Sequence, residues 1–139
     1  MKMTEARGRL VAVGGAEDRE GETIILKEFL RLSGGPRARI LVVTYSTDEA
    51  TSADQYVRLF KRLGADDTHR VAVNNRERAN APSVVESVKR ATGLYFTGGD
   101  QLDITSLFGG TEFQRVMHER YEQGLVVGGT SAGAAMMGN

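Results

Sequence analysis

Ser131 stands among small residues in the run Gly128-Gly129-Thr130-Ser131-Ala132-Gly133-Ala134. The spacing Gly-x-Ser-x-Gly is that of a nucleophile elbow, in which a serine sits on a sharp turn from strand to helix with its hydroxyl exposed. Glycines at both flanks relieve crowding at such a turn. The N–H of the residue after the serine is left free to hold an oxyanion. Leu125, Val126 and Val127 read as the end of a buried strand, and Ala132 to Met137 as the start of a helix. The chemistry this points to is acyl transfer, with Ser131 as nucleophile and the Ala132 N–H as one oxyanion donor.

A serine nucleophile also needs a general base within about 3 Å and a second donor facing the developing negative charge. Gly99, in Gly98-Gly99-Asp100-Gln101, suits the second donor, because a glycine after a strand lets its backbone approach a ligand. A third glycine turn, Gly14-Gly15-Ala16-Glu17-Asp18, also follows an apolar run. It lacks the spacing of a dinucleotide fingerprint or a P-loop. Each feature has a plainer alternative. Ser131 could be a small residue for tight strand–helix packing, Asp100 a helix N-cap in an ordinary turn, Gln101 a solvated first-turn residue, and 14–18 a structural turn.

The elements that must position these turns alternate along the chain. Apolar runs at Arg9 to Val13, Ala38 to Thr44, Arg70 to Val73, Gly93 to Thr97 and Leu125 to Gly128 read as five strands. Between them, Thr23 to Leu32, Ser52 to Leu63, Ser83 to Ala91 and Glu112 to Glu122 carry apolar residues three or four apart. That alternation predicts βαβ units and a parallel sheet in a single α/β domain spanning 1–139. Many of the 17 glycines fall after strands, the edge at which open α/β sheets hold ligands.

Composition narrows the chemistry further. Eighteen basic and eighteen acidic residues give no net charge, so there is no electrostatic signature of a nucleic-acid or membrane partner. Zero cysteines remove disulfides and thiol catalysis, and nothing in the spacing suggests a metal or a cofactor. No run approaches the roughly 18 apolar residues of a spanning helix, and Met1 to Arg7 shows no signal-peptide pattern, so a cytoplasmic location is expected.

The three turns together, 14–18, Phe96-Thr97-Gly98-Gly99-Asp100-Gln101 and 128–134, resemble three landmarks of the cyanophycinases in order and separation. Cyanophycinases belong to the serine peptidase family that also contains the aspartyl dipeptidases. The resemblance implies a three-layer α/β/α fold with a mainly parallel sheet, class I glutamine amidotransferase-like and flavodoxin-like. It implies Ser131 as nucleophile, Gly99 and Ala132 as oxyanion donors, and Gln101 as a contact to the substrate's aspartyl unit. The implied substrate is cyanophycin, a poly-aspartate with arginine on each side-chain carboxyl, cleaved to β-aspartyl-arginine. Glu17, Asp18 and Asp100 are chemically suited to a site that takes guanidinium groups. A homodimer of the full-length form, or completion by a C-terminal chain, is also expected.

In that family the catalytic histidine and its acidic partner follow the nucleophile, and only eight residues follow Ser131 here. The two histidines present are His69 and His118. His69 reads as preceding the third strand, at the amino edge of the sheet. His118 lies about 9 Å down a helix that runs away from the active edge, at 1.5 Å per residue. Neither suits a base, so the chain is expected to be the nucleophile-bearing first half of a catalytic domain and nearly inactive alone, with Met136 and Met137 left for further chain to cover. An aspartyl dipeptidase on the same fold, or a binding or regulatory module without a triad, are the competing readings.

Overall fold

The structure, a computed structural model, describes residues 9–12, 19–45, 50–97 and 106–129. Its strands are β1 (Arg9–Ala12), β2 (Arg39–Thr44), β3 (Asp67–Ala72), β4 (Gly93–Thr97) and β5 (Val126–Gly129). Its helices are α1 (Arg19–Leu32), α2 (Ala50–Arg62), α3 (Arg76–Ala79), α4 (Pro82–Arg90) and α5 (Glu112–Glu122). A 3-10 turn at Gly35–Arg37 leads into β2, and residues 106–108 are helical ahead of α5.

The described strands form one sheet in the order β1-β5-β4-β2-β3, and every pairing is parallel. From β2 to β5 this is the flavodoxin-like progression, with β1 occupying the place beside β5 that the fifth strand takes in that order. Period-two side-chain alternation decides what each face buries. Ile40 and Val42 of β2, Tyr95 of β4 and Val126 of β5 face α1 and α2, where they meet Leu26, Phe29, Ala53 and Phe60. Leu41, Val43, Leu94, Phe96 and Val127 face the other way, against Val84 and Val88 of α4 and Phe113, Val116 and Met117 of α5. The result is the expected three-layer α/β/α arrangement.

Aromatic rings fill the thickest part of each layer. Tyr95 sits between Phe29 and Phe60 at centroid distances of 5.5 and 5.4 Å, both edge-on. Phe108 packs on Phe113 at 4.7 Å and edge-on to Phe96 at 5.9 Å. Full burial of one such ring contributes roughly 1.5–3 kcal/mol, so these clusters hold both helical layers to the sheet.

Two expectations need correction. The third strand begins at Asp67, three residues before the expected Arg70, and ends at Ala72. His69 therefore lies within β3, paired with Leu41, and does not precede the strand. The reason is position: β3 borders the described sheet on one side only, and its burial alternates weakly, with Thr68 buried and Asp67, His69 and Arg70 exposed. No apolar run marks such a strand. Helix α3 is likewise absent from the sequence pattern, because Arg76-Glu77-Arg78-Ala79 carries no apolar stripe. Among the described residues no helix is long and apolar enough to cross a membrane.

Candidate active site

Parallel strands place their carboxyl ends along one edge, and the register fixes how those ends align. Ala12 of β1 pairs with Gly129 of β5, and Gly129 pairs with Phe96 of β4. On the other side of β4, Thr97 pairs with Thr44. The strand ends from which residues 13–18, 98–105 and 130–139 continue are thus immediate neighbours. Ser131, Ala132, Gly99, Asp100 and Gln101 themselves, with Gly14 to Asp18, lie outside the described residues.

Gly129 is the last described residue before Thr130 and Ser131, and its conformation is specific. Its φ is 129°, a region side chains rarely adopt, and a Cβ there would come within 2.9 Å of the Phe96 backbone nitrogen and 3.1 Å of its carbonyl carbon. Backbone cannot yield as a side-chain tip can. The sequence suggests that this glycine relieves crowding around Ser131; the structure gives it a further reason, the close approach of β5 to β4 at its own position.

Where the described chain resumes at Ser106, residues of α3 and its C-cap hold it. Arg76 Nη1 donates to the Ser106 carbonyl at 2.7 Å and to that of Leu107 at 3.5 Å. Asn80 Oδ1 accepts from the Glu112 N–H at 2.9 Å, while its Nδ2 donates to the Arg76 carbonyl at 3.0 Å. Thr111 caps α5, accepting from Gln114 N–H at 3.3 Å and donating to the Phe108 carbonyl at 2.6 Å. In the same first turn, hydrogen bonds from Arg115 hold the Glu112 carboxyl below the usual glutamate range, with the Arg115 and Lys89 charges adding to them against a desolvation cost. Sequence reasoning missed Arg76 and Asn80. The available signal was two asparagines, Asn75 and Asn80, bracketing four residues; Asn75 is the N-cap of α3, its Oδ1 accepting from Arg78 N–H at 2.7 Å.

Both histidines lie toward the other edge. His69 is the third residue of β3 and its Nε2 lies 2.8 Å from Asp67 Oδ1. His118 precedes by two residues Arg120, whose Nη2 donates to the Ala91 carbonyl just ahead of β4 at 2.8 Å. That bond fixes the C-terminal half of α5 at the amino edge.

A pocket of about 330 Å³ also opens at the amino edge, lined by Arg39, Ile40, Leu41, Asp67, His69, Ser87, Arg90 and Ala91. It is not the candidate site. Its charged groups engage neighbours, Arg39 and His69 with Asp67 and Arg90 with Glu86, and it sits opposite the edge at which parallel sheets bind ligands. Among the described residues no group of three or more His, Asp or Glu could hold a metal ion.

The family model of peptidase family S51 matches residues 10–139. The chain is 36% identical over 135 residues to a cyanophycinase from Geminocystis herdmanii (strain PCC 6308), covering 96% of this chain and 50% of that protein. It is 32% identical over 132 residues to a cyanophycinase from Nostoc sp. (strain PCC 7120), covering 94% of this chain and 44% of the relative. It thus spans about half the length of the curated relatives it matches. Among solved structures, that of a peptidase from an acI-B1 Actinobacterium shares the fold, with a TM-score of 0.65 and 24% identity over 94% of this chain and 56% of that one.

Proposed function

Because this chain belongs to peptidase family S51, we propose that it carries the nucleophile of a serine exopeptidase that releases β-aspartyl-arginine from cyanophycin. The observation that carries the reading is the junction at Gly129: a buried parallel strand ends there, between β1 and β4, and the next four residues are Thr130-Ser131-Ala132-Gly133. Covalent connectivity alone keeps the Ser131 Cα within about 7 Å of that of Gly129. The similarity to cyanophycinases over 94–96% of the chain supports the substrate.

In this mechanism Ser131 Oγ attacks the carbonyl carbon of the terminal backbone peptide bond as its proton passes to a general base. The oxyanion that forms is held by the N–H groups of Gly99 and Ala132, which are worth most where charge develops. The C–N bond then breaks, the base returns the proton to the leaving amine, and water hydrolyses the acyl-enzyme. Gln101 contacts the aspartyl unit. Asp100 is suited to a substrate guanidinium, since carboxylate–guanidinium bonds are among the stronger hydrogen bonds. The base is neither His69 nor His118; the family pattern supplies a histidine and an acidic partner after the nucleophile.

The test measures β-aspartyl-arginine release from cyanophycin by the complete gene product and by Ser131→Ala. A fall of roughly 10⁴-fold or more is expected for loss of a triad nucleophile. Equal rates would sink the proposal. Cleavage of α-aspartyl dipeptides in preference to the polymer would instead favour an aspartyl dipeptidase.

A further inference from the structure

We infer that Arg76 and Asn80 are positioning residues for the reaction, holding in place the far end of the connection that carries Gly99 and Gln101. The inference rests on the serine-peptidase reading above. Residues 98–105 join two points: the end of β4 at Thr97, and residue 106. The first is fixed by the sheet, where Thr97 is buried and paired with Thr44. The second is fixed by α3 and the residue after it. Arg76 takes the Ser106 and Leu107 carbonyls, and Asn80 takes the Glu112 N–H, so one short element grips the segment at both ends.

The two contacts answer specific backbone needs. Residues 106–108 close a helix, where the last carbonyls have no partner within it, and a guanidinium is the strongest side-chain donor available for them. Glu112 opens α5, and its N–H has no partner within the helix. Asn80 supplies an acceptor for it, and by donating to the Arg76 carbonyl it ties the two grips together. Phe108 between them is fully buried against Phe96, Phe113 and Tyr45, so the segment cannot slide along the sheet without unpacking a ring.

Arg76 is exposed and its bonds go to backbone carbonyls alone among its described contacts. A surface arginine with only a stability role would change little but stability when removed. An arginine that sets the end point of an oxyanion-donor segment changes the chemical step, since a donor displaced by a fraction of an ångström loses much of its worth in the transition state.

The experiment uses the complete gene product with Arg76→Met, Arg76→Lys, Asn80→Ala and the control Arg90→Met, an exposed arginine of α4 whose ion pair is with Glu86. Two quantities are read: amide hydrogen exchange in peptides covering 98–112, and kcat and KM for β-aspartyl-arginine release. Arg76→Met and Asn80→Ala are expected to speed exchange across 98–112 about tenfold or more with 113–129 unchanged, and to lower kcat about 10-fold to 100-fold with a smaller change in KM. Arg76→Lys should recover part of the kcat, and Arg90→Met should match wild type in both readouts. Unchanged exchange in 98–112 for Arg76→Met and Asn80→Ala overturns the anchoring whatever the activity. Faster exchange with kcat unaltered overturns the positioning role. A wild-type protein that releases no β-aspartyl peptide overturns the functional reading itself, and the exchange rates then decide separately whether the grip exists.

Discussion

Gly129 lies against the backbone of Phe96, so that β5 approaches β4 at this point more closely than any side chain would permit. The contact combines two constraints, a positive φ of 129° and a collision with backbone atoms that cannot rotate away. Gly129→Ala is therefore expected to cost about 3 kcal/mol or more, the upper range for single substitutions. Gly35, at φ 60° with nothing within 4 Å of its would-be Cβ, carries only the conformational constraint. Gly35→Ala should cost about 1–2 kcal/mol. Urea denaturation of the two variants measures the difference; equal losses would show that the Phe96 contact adds nothing.

Glu112 gives a pH-dependent prediction. Its carboxylate accepts from Arg115 Nη2 at 2.7 Å and from Nε at 3.0 and 3.1 Å, which lowers its pKa in the folded protein. A depressed folded-state value means that the stabilisation is present above the unfolded glutamate value of about 4.3 and is lost as pH falls through the lower folded value. Glu112→Gln should therefore be less stable than wild type at pH 7, by a small margin because the pair is exposed, and the gap should be smaller at pH 3. Thermal unfolding of both proteins at the two pH values checks it. A gap that widens in acid would reverse the sign of the argument.

Phe108 links the sheet to α5. It is fully buried and touches Phe96, Phe113 and Tyr45, all within 6.3 Å between ring centres. Phe108→Ala should cost about 3–5 kcal/mol through lost burial and the cavity left behind. Phe108→Leu should cost markedly less. Chemical denaturation separates them, and similar losses for the two would mean that the ring's volume is not what the site requires.

How much of the fold and site is legible in the sequence follows from how strongly each element is buried. Gly93–Thr97 and Glu112–Glu122 fall where the sequence predicts them, since one is buried at every residue and the other carries a clear apolar stripe at Phe113, Val116 and Met117. Asp67–Ala72 is displaced from its predicted start because the strand exposes most of its side chains, so its pairing with β2 comes from backbone bonds that hydrophobic patterning does not report. Arg76 and Asn80 are invisible for a related reason. Their function is to satisfy backbone groups some thirty residues away, at Ser106 and Glu112, and no local period encodes such a partner. The parallel order and the alignment of Ala12, Gly129 and Phe96 are only implied by the alternation of elements; the register makes the three strand ends neighbours.

His118 and His69 provide the test of where the general base lies. His69 is exposed on β3 beside Asp67, with β2 and β4 between it and β5. His118 is half-buried, and its Nε2 is buried without a hydrogen-bond partner among the described residues. A buried nitrogen left unpaired costs free energy, whereas an apolar side chain of similar size at the same place does not. His118→Leu is therefore expected to leave stability unchanged or raise it by about 1 kcal/mol. A catalytic base behaves oppositely, since its loss removes a factor of about 10² to 10⁴ from the rate. In the complete gene product, His69→Gln and His118→Leu should each keep kcat/KM for β-aspartyl-arginine release within about twofold of wild type and preserve the pH profile. A fall of a hundredfold in either, with the alkaline or acid limb of the profile displaced, would move the base into this chain and require α5 or β3 to reach the opposite edge of the sheet.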